Sequence, residues 1–88
     1  MDASGAAQLY ESCLSEFKYK VGELAEVRKA ELQAEKDGFV GANVTEARQN
    51  SKFTAMNYTQ ERFDIEADVD YLREAMTFYR TVMVNNAH

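Results

Sequence analysis

The sequence predicts an all-α protein: an antiparallel hairpin of two long helices that assembles into a helical-bundle oligomer. Three observations lead there. The 88 residues contain no proline and only four glycines, while Ala, Glu, Lys, Arg, Gln and Met are abundant, a composition that favours helix throughout. Two long stretches carry apolar residues at steps of three and four, and one glycine-bracketed turn separates them. The last stretch carries two apolar stripes, one more than a hairpin partner can cover.

The first helix is expected from about Ser4 to Asp37, with Asp2 or Ser4 as the N-cap. Its seam reads Tyr10, Leu14, Phe17, Val21, Leu24, with Cys13 at the edge. Such spacing suits a nearly antiparallel or coiled-coil contact. Arg28 falls on the next seam position, where its stem can lie on apolar surface, and Leu32 resumes the line. Glu31, Glu35, Lys29 and Lys36 read as solvated charge. Gly38 is placed to stop the helix. In the turn Asp37–Ala42, Phe39 and Val40 are expected to tuck onto the hairpin end.

Asn43-Val44-Thr45-Glu46 reads as a capping box that opens the second helix. A short loop between two long helices makes them antiparallel neighbours. The stretch from Ala47 to Arg62 is unusually polar, and two structures fit it. One is a single helix from about Asn43 to Asn86; the other breaks near Asn57-Tyr58-Thr59, with Asn57 and Gln60 as a second capping pair. The absence of proline and glycine there favours continuity. Beyond Thr59 the first stripe is Ile65, Val69, Leu72, Met76, Tyr79, Met83, which faces the first helix. The second stripe is Phe63, Ala67, Tyr71, Ala75, Phe78, Val82, and it extends backward to Met56 and Phe53. Phe53, Met56, Phe63, Tyr71, Phe78 and Val82 are therefore the expected oligomer interface.

A chain of this length makes one domain, residues 1–88, whose core gains from oligomerisation. The hydrophobic fraction of 45% with 28% charged residues is that of a globular chain. The net charge of −5 argues against duplex nucleic acid or an anionic membrane as partner, since both need a basic surface. Between Glu61 and Glu74, six acids face two arginines, which suits the basic surface of a host protein. Asp64, Glu66, Asp68 and Asp70 alternate like calcium-loop ligands, but the loop glycine is missing and the helix fans them apart. No metal and no cofactor is expected. Cys13 is the sole cysteine and reads as a small core residue, and His88 is the sole histidine, at the end of the chain. With no nucleophile–base pair and no phosphate loop, the chain is not expected to be an enzyme. The first residues lack the pattern of a signal peptide and no apolar run has the length of a membrane span, so a cytoplasmic location is expected.

The candidate ligand-binding residues are Arg48, Lys52, Tyr58 and Arg62. Arg48 with Lys52, and Tyr58 with Arg62, are each four apart and share a helix face. Guanidinium groups and a tyrosine ring suit a phosphorylated, base-bearing small molecule through charge pairing and stacking. The plain alternative is a solvated helix face. The chain also resembles the small helical-hairpin proteins of bacteriophage genomes, through its first helix ending Glu35-Lys36-Asp37-Gly38, the segment Asn43 to Arg48, and the aromatic last helix ending Tyr79-Arg80-Thr81-Val82-Met83. That resemblance implies a phage-type counter-defence protein acting in the host cytoplasm. Some such proteins are helical oligomers that sequester a cyclic-nucleotide signal between subunits; others bind and block a nuclease complex. The resulting expectation is a homo-oligomer that captures a nucleotide-type immune signal. The alternatives are an acidic inhibitor of a host complex and a structural or assembly hairpin.

Overall fold

A computed structural model describes residues 1–39 and 43–86. It contains two helices packed against each other, α1 (Ala3–Asp37) and α2 (Val44–Asn86), and no strand among the described residues. The turn's Val40, Gly41 and Ala42 lie outside the described residues, so the expectation for Val40 is not addressed. Phe39 is exposed rather than tucked in.

Each helix end has a local cause. Asp2 is the N-cap of α1: its Oδ1 accepts from the Gly5 N–H at 2.7 Å and its carbonyl from the Ala6 N–H at 3.0 Å. Ser4 lies inside the first turn. At the other end the Gly38 N–H donates to the Ala34 carbonyl at 3.0 Å. Gly38 does not stop the helix by a left-handed conformation, because no described glycine has positive φ. Its role is close approach. A Cβ there would stand 2.5 Å from Thr54 Oγ1 and 2.7 Å from the Asn50 carbonyl oxygen. Asn43 caps α2, its Oδ1 accepting from the Glu46 N–H at 2.9 Å.

α2 runs unbroken through Asn57-Tyr58-Thr59, so the alternative with a break is not realised. The polar side chains are accommodated without leaving the helix. Thr54, Thr59, Thr77 and Thr81 donate to carbonyls four residues back, at 2.8 to 3.2 Å. Gln60 donates forward to Asp64 at 3.4 Å instead of capping at Asn57.

The chain divides into two compact units, residues 1–22 with 67–88 and residues 23–66. In the first, Ala6, Val69, Leu72 and Met76 are buried, with Tyr10, Cys13, Phe17, Tyr79 and Met83 half-buried. The two chain segments are antiparallel here. The Arg80 guanidinium donates to the Tyr10 hydroxyl at 2.9 Å, Arg73 lies 5.7 Å from the Phe17 ring centre, and Lys20 pairs with Asp68 at 3.3 Å. In the second unit, Leu24, Val27, Ala34, Ala47, Ala55 and Ile65 are buried. The order is again antiparallel, since Arg28 meets Glu66, Glu31 meets Arg62, and Gly38 lies beside Thr54.

The α1 seam departs from the expected line. Tyr10, Phe17 and Leu24 lie on it, but Val21 is exposed. Among the buried and half-buried positions, Ala6, Tyr10, Cys13, Phe17, Lys20, Leu24, Val27, Glu31, Ala34 and Gly38 alternate in steps of three and four, and the expected seam residue Leu14 is half-buried beside them, as are Ala7, Glu23, Ala30 and Glu35. Val27, not Arg28, continues the seam, and Glu31, not Leu32, follows it. Arg28 and Leu32 face solvent. The difference arises because two charged residues, Lys20 and Glu31, occupy seam positions, and each has a partner of opposite charge on α2.

Candidate functional site

The most developed side-chain cluster lies in the second unit, around Glu31. Its side chain is 13% exposed and Arg62 is 24% exposed, and Arg62 Nε donates to Glu31 Oε1 at 2.8 Å. Arg62 Nη1 also donates to Glu66 Oε1 at 3.0 Å, and Arg28 Nη2 reaches the same oxygen at 3.4 Å. The Arg62 guanidinium stands 4.7 Å from the Phe63 ring centre. This is a four-residue ionic network with alternating sign.

The network sets its own protonation. The Glu31 carboxyl is held below its ordinary value of 4.5, first by a hydrogen bond from the Thr59 hydroxyl. Burial opposes that shift, while Arg62 and Arg28 add to it. The same Thr59 hydroxyl donates to the Ala55 carbonyl at 3.2 Å, so its one proton is shared between that carbonyl and the carboxylate. Glu66 is likewise held low, first by Arg62, and Arg62 is pushed up by its two carboxylates.

Beside the network lies an open cleft of about 410 Å³ lined by Glu31, Glu35, Lys52, Ala55, Met56, Thr59, Gln60 and Arg62. Of the four candidate ligand-binding residues it brings together Lys52 and Arg62. Arg48 and Tyr58 are exposed outside its lining. Arg62 already serves two carboxylates, and Glu31 and Glu35 line the same wall, so the cleft carries as many formal negative as positive charges. A neutral or zwitterionic group suits that balance better than a bare polyphosphate.

Glu31 and Thr59 were not singled out from the sequence. The signal was present: Glu31 lies seven residues after Leu24, and Arg62 three before Ile65, so both occupy seam positions.

Of the six expected interface residues, Met56 lines the cleft and the other five lie outside its lining. Phe53, Met56, Phe63, Tyr71 and Phe78 are between 53% and 75% exposed, and Val82 is half-buried. At about 100° per residue, Phe53, Met56 and Phe63 lie on the side of their segment away from Ala55 and Ile65, and Tyr71, Phe78 and Val82 on the side of theirs away from Val69, Leu72 and Met76. Among the described residues, no helix is long and apolar enough to cross a membrane, and no group of three or more His, Cys, Asp or Glu side chains could hold a metal ion. Comparison with protein families, with curated proteins and with solved structures gives no match.

Proposed function

We propose that this chain is a non-enzymatic helical-hairpin protein that acts by binding, and that it binds first of all to further copies of itself. The observation that carries this reading is the outward row Phe53, Met56, Phe63, Tyr71 and Phe78 on α2. Magnitude supports it. The chain exposes 6347 Å², whereas a folded monomer of its 10.0 kDa exposes about 5,200 Å². The chain thus leaves more of its surface uncovered than a compact monomer of its mass does. In a phage-type setting, such an assembly would counter host defence by occupying a host component or signal.

Native mass spectrometry and light scattering test the reading. A defined oligomer is expected for the natural chain, and a monomer of unchanged helix content for Phe63→Asp. A monomeric natural chain at all accessible concentrations overturns it.

Capture of a nucleotide-type signal is a second reading: Lys52 and Gln60 line one cleft, where Lys52 would have to meet the phosphate because Arg62 is held by Glu31 and Glu66. Calorimetry against cyclic and ADP-ribose-derived nucleotides should then give heat that Lys52→Ala abolishes. Absence of heat with every one of them excludes it.

A further inference from the structure

The charges that line the cleft beside Glu31 divide into a closed pair and an open one. Glu31 and Arg62 meet at 2.8 Å, and Arg62 also holds Glu66 at 3.0 Å. Glu35 on α1 and Lys52 on α2 line the same cleft and make no ion pair among the described residues. Glu35 is half-buried, and a partly desolvated carboxylate gains more from an arriving cation than one in open water. The lining also includes the apolar side chains of Ala55 and Met56 and the Gln60 amide. Gln60 Nε2 is turned to Asp64 at 3.4 Å, which leaves its side-chain oxygen as an acceptor. The volume of about 410 Å³ falls within the roughly 300–1,000 Å³ of small-molecule sites.

We propose that this cleft takes a small zwitterion, an amino-acid-like molecule whose ammonium meets Glu35 and whose carboxylate meets Lys52, with its hydrocarbon part against Ala55 and Met56. Such a ligand completes two charge pairs that the folded chain leaves open. It also adds no net charge to a cleft whose four charged side chains already balance. A polyphosphate would pair with Lys52 but set its remaining charge against Glu31 and Glu35, and like charges brought together in a cleft oppose binding. A simple amine would pair with Glu35 alone. Glu31 and Arg62, already engaged with each other, contribute the wall of the cleft rather than a free charge. The proposal goes beyond self-association and does not depend on it, since Phe53, Phe63, Tyr71 and Phe78 all lie outside the lining.

Backbone-amide NMR titrations of the full chain test it. Glycine, β-alanine, γ-aminobutyrate and ε-aminocaproate space their two charges progressively farther apart. They are compared with alkylammonium and alkylcarboxylate salts of matching chain length. One spacing should bind best and shift the amides around Glu35, Lys52 and Met56, and the one-charge salts should bind at least about tenfold more weakly. Glu35→Gln and Lys52→Gln should each weaken the best zwitterion by at least about the same factor, with helix content unchanged. The chain carrying both Glu35→Lys and Lys52→Glu should regain binding, because the ligand can enter end for end. Zwitterions that bind no better than the one-charge salts overturn the proposal, as does undiminished binding by either single variant. A folded exchanged chain that binds no better than the single variants removes the assignment of the two charges. A cyclic or ADP-ribose-derived nucleotide that shifts the same amides at lower concentration than any zwitterion replaces the proposal with the phosphate reading. If no zwitterion binds and the two glutamine variants lower stability non-additively, Glu35 and Lys52 pair with each other in solution and the proposal falls.

Discussion

Gly22 lies inside α1 and Gly38 directly after it, and their surroundings differ. Nothing lies within 4 Å of a Cβ built on Gly22. Gly22→Ala should therefore stabilise the chain by about 0.5–1 kcal/mol, since alanine restricts the unfolded state and favours helix. A Cβ on Gly38 would meet both the Thr54 hydroxyl and the Asn50 carbonyl. Gly38→Ala should destabilise by about 1–3 kcal/mol, and adding Thr54→Ala, which removes the hydroxyl, should not fully rescue it, because the Asn50 carbonyl oxygen remains. Urea titrations of the three variants check this. Glu31 makes a second residue-level prediction. Its folded-state pKa lies below the ordinary 4.5, so its pairing contributes fully above that value. The contribution is lost as pH falls through the lower, folded value. Stability should therefore drop in acid below about pH 4.5, and Glu31→Gln should make that drop shallower while lowering stability at pH 7. An acid dependence unchanged by Glu31→Gln would show that other carboxylates control it.

At the scale of the elements, the polar half of α2 is the informative part. Asn57, Thr59 and Gln60 have the composition of a helix start, yet the helix passes through them. The threonine returns its hydroxyl proton locally, to Ala55 or to Glu31, and Gln60 turns to Asp64. Asn57→Ala should accordingly be neutral or stabilising by a few tenths of a kcal/mol. Were Asn57 a cap at a break, the same change would cost about 1 kcal/mol. Asn43→Ala serves as the positive control, because Asn43 does cap α2. The α1 seam has its own logic. Lys20 and Glu31 interrupt an apolar line, and each finds an opposite charge on α2. Polar seam positions of this kind fix which register two helices adopt.

For the whole molecule, surface area is the governing quantity. The seam buries mostly residues of modest size, and among the described residues no large side chain is fully buried. An 88-residue chain with such a core gains stability by covering further surface. If copies of the chain supply that cover, thermal stability should rise with protein concentration. The rise should vanish in Phe63→Asp, whose side chain is exposed in the single chain. Calorimetric scans over a hundredfold range of concentration, roughly 2.7 kcal/mol of mass-action stabilisation for a saturating partner, measure both. A concentration-independent transition in the natural chain would exclude self-association as a source of stability.

The all-helical class, the two helices, the Asn43 cap and the buried line Ile65, Val69, Leu72, Met76 were all legible in the sequence. Each is local or periodic: side-chain spacing at three and four, and a capping residue three positions before its donor, are properties of the chain itself. The N-cap at Asp2 rather than Ser4 was an open choice between two equivalent residues. Other features depended on the facing helix. Glu31 read as solvated charge and Arg28 as a seam residue, because no single helix reveals which polar side chain has a partner across from it. Arg62 and Glu66 on α2 decide that, and they place Glu31 inward with Thr59 and leave Arg28 at the surface. Gly38 read as a stop signal, and the reason for a glycine there is the passage of Asn50 and Thr54. Periodicity belongs to one strand of chain at a time, and so the sequence determined the elements and their apolar faces. The pairing of charges and the closeness of backbones belong to two segments at once, and only the tertiary structure decided them.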